Sequence, residues 1–295
     1  MMDQGRGPGA DPSPVRGVVL SGGGARGAYE AGVMSAIVEV LQRSGIERAP
    51  FDVFSGTSVG AINASWLAAH ADRPDMGVAS LLDNWRQLAL ETHLRMDLPG
   101  LLGLRSGLPK LARRLGLDVD PGERWGRSML DPRALERLVE QEVPWERLHS
   151  NVRQALVRAF IVATLEIRTG RTSMFAELAP EATFRPSRDP RRVARCERLQ
   201  AKHVLASAAI PFLFPARRIG GAFHCDGGLR FNTPIAPAIR AGSQRLVVVS
   251  LLHRESVAEE DGAQLAREAA YPSPMFLFGK VLNPLLLDPG DDDLQ

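Results

Sequence analysis

A chain of 295 residues is enough for one large α/β domain or two small ones, with a sizeable core. Its 44% apolar and 24% charged content is globular and excludes disordered, collagenous and coiled-coil classes. Thirty-six basic against 34 acidic residues leave a formal charge of +2, which argues against a nucleic-acid binder.

The first 15 residues are rich in Gly, Pro and Asp and lack the apolar stretch of a secretory signal, so they read as a tail. No window reaches the ~18 apolar residues that would span a bilayer, and a cytoplasmic protein, at most peripheral at a membrane, is expected. Gly17–Leu20 predicts a strand that runs into the turn Ser21-Gly22-Gly23-Gly24-Ala25-Arg26-Gly27. Ala31, Met34, Ile37, Val38 and Leu41 then recur at helical spacing, with Gly45 as the stop. A second strand, Phe51–Phe54, breaks at Ser55-Gly56-Thr57-Ser58-Val59-Gly60, and helix resumes through Ile62, Trp66 and Leu67. Strand, tight turn and helix, twice in succession, predict a parallel sheet with helices packed on it.

Leu81, Leu82, Trp85 and Leu88 outline another helix, while residues 94–127 mix Leu, Gly, Pro and Arg without a sustained period. Asp131-Pro132 predicts a helix start. Leu156–Ile167 predicts a long strand that turns at Thr169-Gly170-Arg171 into a hairpin. Val204–Ala209 reads as a short helix closed by Pro211, Ala222–Cys225 as a strand ending at Asp226-Gly227-Gly228, and Arg245–Leu251 as a last core strand. Cys196 and Cys225 are too few for a disulfide framework or a zinc quartet and read as reduced thiols; neither metal nor cofactor is expected.

Three of these turns carry chemistry. Gly56-Thr57-Ser58-Val59-Gly60 is a G-x-S-x-G, in which a serine on a sharp strand-to-helix turn projects its hydroxyl above the sheet and the glycines relieve backbone crowding. Gly22–Gly27 also fits a dinucleotide-binding G-x-G-x-x-G, but that reading wants an acidic residue closing the second strand, where the serine turn stands instead. As a glycine-rich turn at a helix start it offers backbone N–H groups to a developing oxyanion, with Arg26 adding positive charge. For the base, none of the six histidines stands in a recognisable motif, whereas Asp226 at a strand end before two glycines can be aimed at a neighbouring strand.

Together these turns resemble the patatin-like phospholipase family, which has a G-G-G-x-[RK]-G loop, a G-x-S-x-G elbow and a D-G-[GA] aspartate in that order. Ser207-Ala208-Ala209-Ile210-Pro211-Phe212-Leu213-Phe214-Pro215 is similar to a fourth family segment. The resemblance covers about Gly17 to Leu252 and implies a three-layer α/β/α fold with a mostly parallel central sheet. It also implies a Ser58–Asp226 dyad acting on acyl esters through an acyl-enzyme. The oxyanion would be held around Gly22, Gly23, Gly24, Arg26 and Gly27, with Gly56 and Gly60 shaping the elbow.

The expected domain spans 16–252, followed by a helical C-terminal tail over 253–295. Within it, residues 94–127 form either an interfacial lid or, as preferred here, a cap on the core with arginines in water. The substrate implied is a phospholipid or another acyl-ester lipid. Two alternatives stay open: an acyltransferase on the same scaffold, and a non-catalytic lipid-binding relative.

Overall fold

In chain order the elements are β1 (Arg16–Leu20), α1 (Gly27–Arg43), β2 (Val53–Thr57), α2 (Val59–Ala69), α3 (Pro74–Gln87) and β3 (Arg124–Trp125). There follow α4 (Arg133–Arg137), α5 (Trp145–Arg153), β4 (Ala159–Glu166), β5 (Thr172–Leu178), β6 (Arg192–Cys196) and α6 (Ala201–Ser207). The last are β7 (Ala216–Ile219), β8 (Ala222–Asp226), α7 (Ile235–Arg240) and β9 (Arg245–Val249). This computed structural model describes residues 13–46, 50–87, 124–125 and 129–251. The expected N-terminal tail up to residue 12, the C-terminal tail and all of the 94–127 segment except 124–125 lie outside the described residues.

Strands β1, β2 and β4 are buried along nearly their whole length, so both faces need cover. Alternation sends Val18, Leu20, Phe54, Phe160 and Val162 to one side, where Met34, Leu67, Leu81 and Val204 of four helices meet them. Val19, Val53, Ala159 and Ile161 face the other side, against Ala238 of α7 and Ala241 just beyond it. Two cores on one sheet make the three layers, α/β/α. Helix α2 is buried on every side, which is why its residues 59–69 show no polar face.

The main sheet runs β9-β1-β2-β4-β5-β6, and four of its five ladders are parallel; only the β4–β5 hairpin, turning at Gly170 with φ +66°, is antiparallel. A wing of β8, β7 and β3 joins it antiparallel. The wing's attachment matters most. Strand β5 occupies one edge of β4 along its length, so β2 and β8 share the other. Strand β2 pairs with residues 159–163 and ends there; β8 pairs with residues 164–166 and ends at Asp226 opposite Thr164.

Several expectations need correcting. Strand β2 covers Val53–Thr57 rather than Phe51–Phe54, because the Ser55 and Thr57 hydroxyls donate to the carbonyls of Pro234 and Phe231 and so sit in a strand without exposing polar groups. Strand β9 is an edge rather than a core strand among the described residues: it pairs with β1 alone, and Val247 and Val248 are partly exposed. Strands β6 and β7, with sequences RVARC and ARRI, escaped notice because arginines hid them. Arg192 lies over the Phe231 ring at 4.5 Å, and Arg217 is buried in an ion pair with Glu136.

Helix α5 was also unforeseen, and it fixes the far end of α2. The Asn151 Nδ2 donates to the Ala68 and Ala69 carbonyls, both at 3.0 Å, satisfying acceptors that the helix end leaves open. Asn151→Leu should leave those carbonyls buried without a donor and cost ~2 kcal/mol, read as a lower urea midpoint with unchanged slope.

Candidate active site

Strand β2 ends with Thr57 opposite Ala163, and the next residue is Ser58. Strand β8 ends with Asp226 opposite Thr164. The two chain ends therefore meet on one edge of β4 at adjacent rungs, and the Ser58 hydroxyl donates to Asp226 Oδ2 at 2.6 Å.

The elbow is strained. Ser58 has φ 55° and ψ −125°, a region unfavourable for a residue with a side chain, costing on the order of 1–3 kcal/mol. Its surroundings hold it there. The Ser58 N–H donates to Ser207 Oγ at 2.8 Å, and that hydroxyl donates in turn to the Ala163 carbonyl at 2.6 Å. Gly56 and Gly60 are required by contact rather than by torsion. A Cβ on Gly56 would overlap the Gly60 carbonyl, and one on Gly60 would overlap the carbonyls of Leu20 and Ser21. The elbow is thus pressed directly onto the end of β1.

Asp226 has no exposed surface, and no cationic side chain pairs with it among the described residues. It accepts from Ser58 and, through Oδ1, from the Gly228 N–H at 2.7 Å. Burial pushes its carboxyl up to about 7, against the opposing pull of those two hydrogen bonds. The glycine after it is needed because a Cβ on Gly227 would meet the Ala163 carbonyl.

The glycine-rich loop leaves β1 beside this pair. Gly22 lies so close to Ser58 Cβ and Asn232 Oδ1 that no side chain fits. Its N–H already donates to the Asn232 carbonyl at 3.1 Å, and its own carbonyl accepts from Asn232 Nδ2 at 3.3 Å. The N–H groups of Gly23 and Gly24 have no acceptor among the described residues, and Gly24 takes a left-handed φ of +58°. Arg26 is exposed and donates to the Leu251 carbonyl at 3.0 Å, while Gly27 packs against Val59 and Trp85. All the residues singled out in the three motifs therefore lie in one region, with Arg26 turned toward the chain beyond β9.

Two participants were missed as such. Ser207 was visible only as part of a segment, and Asn232 had no local signal, since its partner is 210 positions away. Of the histidines, none among the described residues bonds to Ser58 or Asp226; His93 and His253 lie outside them. His224 is fully buried with its side chain against Thr164 Oγ1 at 3.0 Å, and burial pushes it down to about 4. His203 is lowered by burial as well and faces Glu197 and Gln200. Cys225, beside the aspartate, is buried with its thiol pushed up to about 12 by burial and then by Asp226, so it is no nucleophile. Among the described residues no cluster of His, Cys, Asp or Glu is arranged to hold a metal, and no helix is long and apolar enough to cross a membrane.

The fold is thus a three-layer α/β/α sandwich with a serine on a tight turn at a strand end, beside a glycine-rich loop. The patatin-like phospholipase family model matches residues 18–239, and the chain belongs to that family. A lysophospholipase, nte1, of Aspergillus terreus is 46% identical over 56 residues, covering 19% of this chain and 3% of that protein. A calcium-independent phospholipase A2-gamma of Rattus norvegicus is 22% identical over 232 residues, covering 78% of this chain and 26% of that protein. The chain thus spans only about a quarter, or far less, of the length of these relatives. Two solved structures were also matched, VipD of Legionella pneumophila and ExoU of Pseudomonas aeruginosa in complex with SpcU. They give TM-scores of 0.39 and 0.41 at 17% identity, over 91% and 96% of this chain and 56% and 53% of theirs.

The raised carboxyl has a consequence for stability. Below pH ~4 Asp226 is protonated in folded and unfolded chains alike and contributes nothing. Between about 4 and 7 the unfolded chain ionises while the folded one resists, so the native state loses ground as pH rises, and the full penalty applies above 7. Asp226→Asn should therefore melt at a higher temperature than the parent at pH 8, and calorimetry at falling pH should show the gap closing toward pH 4.

Proposed function

We propose that this protein hydrolyses acyl esters of lipids, with Ser58 as nucleophile, Asp226 as general base and the Gly23 and Gly24 amides as the oxyanion hole. The observation that carries the reading is the 2.6 Å hydrogen bond between the Ser58 hydroxyl, held on a strained elbow, and a carboxylate sealed from water. The family of the chain, and the phospholipase and lysophospholipase names of its relatives, support a lipid acyl ester as substrate.

Ser58 Oγ attacks the ester carbonyl carbon while its proton passes to Asp226 Oδ2. The carbonyl electron pair moves onto oxygen, to which the N–H groups of Gly23 and Gly24 donate hydrogen bonds. Collapse of this intermediate expels the alcohol, which takes the proton from Asp226, and leaves Ser58 acylated. Water then attacks the acyl carbon and gives its proton to Asp226. A second collapse frees the fatty acid and returns the proton to Ser58. Asp226 can serve as base because burial raises its proton affinity well above that of a free carboxylate, bringing it near the working pH. The Gly22 amide, engaged by Asn232, sets the spacing of the loop rather than serving as a donor.

Ser58→Ala should lower kcat on a short-chain p-nitrophenyl ester by at least ~10³-fold and abolish labelling by a fluorophosphonate. Asp226→Asn should lose turnover to a similar extent, whereas His224→Gln should retain it. In the parent, kcat/KM should rise with pH and level off above an apparent pKa near 7, since the base must be ionised. A labelled Ser58→Ala protein, or a profile flat from pH 5 to 9, would sink the reading.

A further inference from the structure

Glu30 is a fully buried carboxyl in the first turn of α1 that the chemistry above leaves unused. Its Oε2 accepts from Asn63 Nδ2 at 2.9 Å, and its Oε1 is buried without a hydrogen-bond partner among the described residues. Asn63, 1% exposed, lies in the second turn of α2 and has every polar atom engaged. Its Nδ2 also donates to the Gly27 carbonyl at 3.0 Å, and its Oδ1 accepts from Trp85 Nε1 at 3.0 Å.

Two facts of topology make this cluster more than a satisfied polar pair. Helix α1 is the direct continuation of the glycine-rich loop, starting at Gly27, and α2 is the direct continuation of the elbow, starting at Val59. The distance from the Gly23 and Gly24 amides to Ser58 Oγ therefore depends on how α1 sits against α2. Apolar contact between the helices is non-directional and would tolerate sliding. Hydrogen bonds from Asn63 to both Gly27 and Glu30 do not. A buried carboxyl with one oxygen unsatisfied is a poor way to stabilise a core, where Leu or Met would pack without that penalty, so its presence asks for another reason.

We propose that Glu30 and Asn63 are positioning residues that fix the height of the glycine-rich loop over Ser58, Glu30 acting through Asn63 and Asn63 directly on the Gly27 carbonyl. This deepens the acyl-hydrolase reading and rests on it. The groups facing Glu30 are neutral: the Asn63 amide and the main chain of Ser21, with Trp85 behind Asn63. Burial pushes the Glu30 carboxyl up to about 8, against the opposing pull of the Asn63 amide and the Ser21 main chain, so at pH 7 it works chiefly as a neutral acid. Its ability to hold Asn63 then depends on shape and hydrogen bonding rather than on charge, and glutamine can replace it.

The test compares kinetics of Glu30→Ala, Glu30→Gln, Asn63→Ala and the Glu30→Ala/Asn63→Ala double variant on a p-nitrophenyl ester at pH 7, with melting temperatures taken alongside. A loop misplaced by about 1 Å loses on the order of 10²-fold, so Glu30→Ala and Asn63→Ala should each lower kcat by ~10–100-fold with KM within about threefold. Glu30→Gln should stay within about threefold of the parent. The double variant should be little worse than Asn63→Ala alone, because Glu30 acts only through Asn63. A folded Glu30→Ala protein with parental kcat, a loss confined to KM, or a Glu30→Gln as impaired as Glu30→Ala would each overturn the proposal. Should Glu30→Ala melt below the assay temperature, Asn63→Ala and Glu30→Gln carry the same decision. A parent inert toward esters overturns the functional reading and this inference with it, whereas an active parent matched by its variants overturns the inference alone.

Discussion

Asp226 is held where water does not reach it, with a serine hydroxyl and a backbone amide as its hydrogen-bond donors and no cation to neutralise it among the described residues. Every other feature of the site follows from keeping that arrangement. A carboxylate open to solvent would sit near its ordinary value and be a feeble base toward a hydroxyl. Enclosed, it costs stability, and the molecule offsets that cost through the two cores on either side of the sheet. On the proposed reading, the site trades stability for reactivity, as sites where a local rule is broken commonly do.

Enclosure is achieved by contact between backbones, which explains the glycines better than flexibility does. Gly60 lies against the end of β1, Gly56 against Gly60, and Gly227 against the carbonyl of Ala163. Each of these contacts leaves no room for a methyl group. The three segments that meet at the site are thereby locked at main-chain distance, and side-chain hydroxyls and amides complete the lock. Ser207 holds the elbow N–H, Thr57 and Ser55 hold the 231–234 segment, and Asn232 ties that segment to the glycine-rich loop. The strain at Ser58 persists because so many bonds around it determine its position.

This arrangement also suits the proposed Ser58–Asp226 pair, which works without an imidazole. A histidine between serine and aspartate requires space for a ring, and here the oxygens are already at hydrogen-bonding distance. The histidines described are engaged elsewhere: His149 with Glu177, His70 with the Trp66 carbonyl, His224 with Thr164 and His203 with its own helix start. Burial keeps His224 neutral, so it fills the interior behind β8 as a polar ring against Phe175.

The glycine loop, the serine turn and the aspartate turn were legible in the sequence because backbone geometry restricts which residues can form them, and such restrictions leave a local trace. The apolar strands β1 and β4 and the β4–β5 hairpin were legible too, from continuous apolar runs and the turn at Gly170. Strands β6 and β7 were not, because their arginines are covered by partners distant in the chain, Phe231 and Glu136. Nor could the sequence show that β2 and β8 end against consecutive residues of one edge of β4. Ser58 and Asp226 are 168 positions apart, and only strand register brings them together. The same is true of Ser207, Asn232 and Glu30: each is an ordinary polar residue along the chain, and becomes informative only once burial removes water as its partner. Motifs record what the backbone can do locally; which polar groups must satisfy one another is decided when the packed interior excludes every alternative.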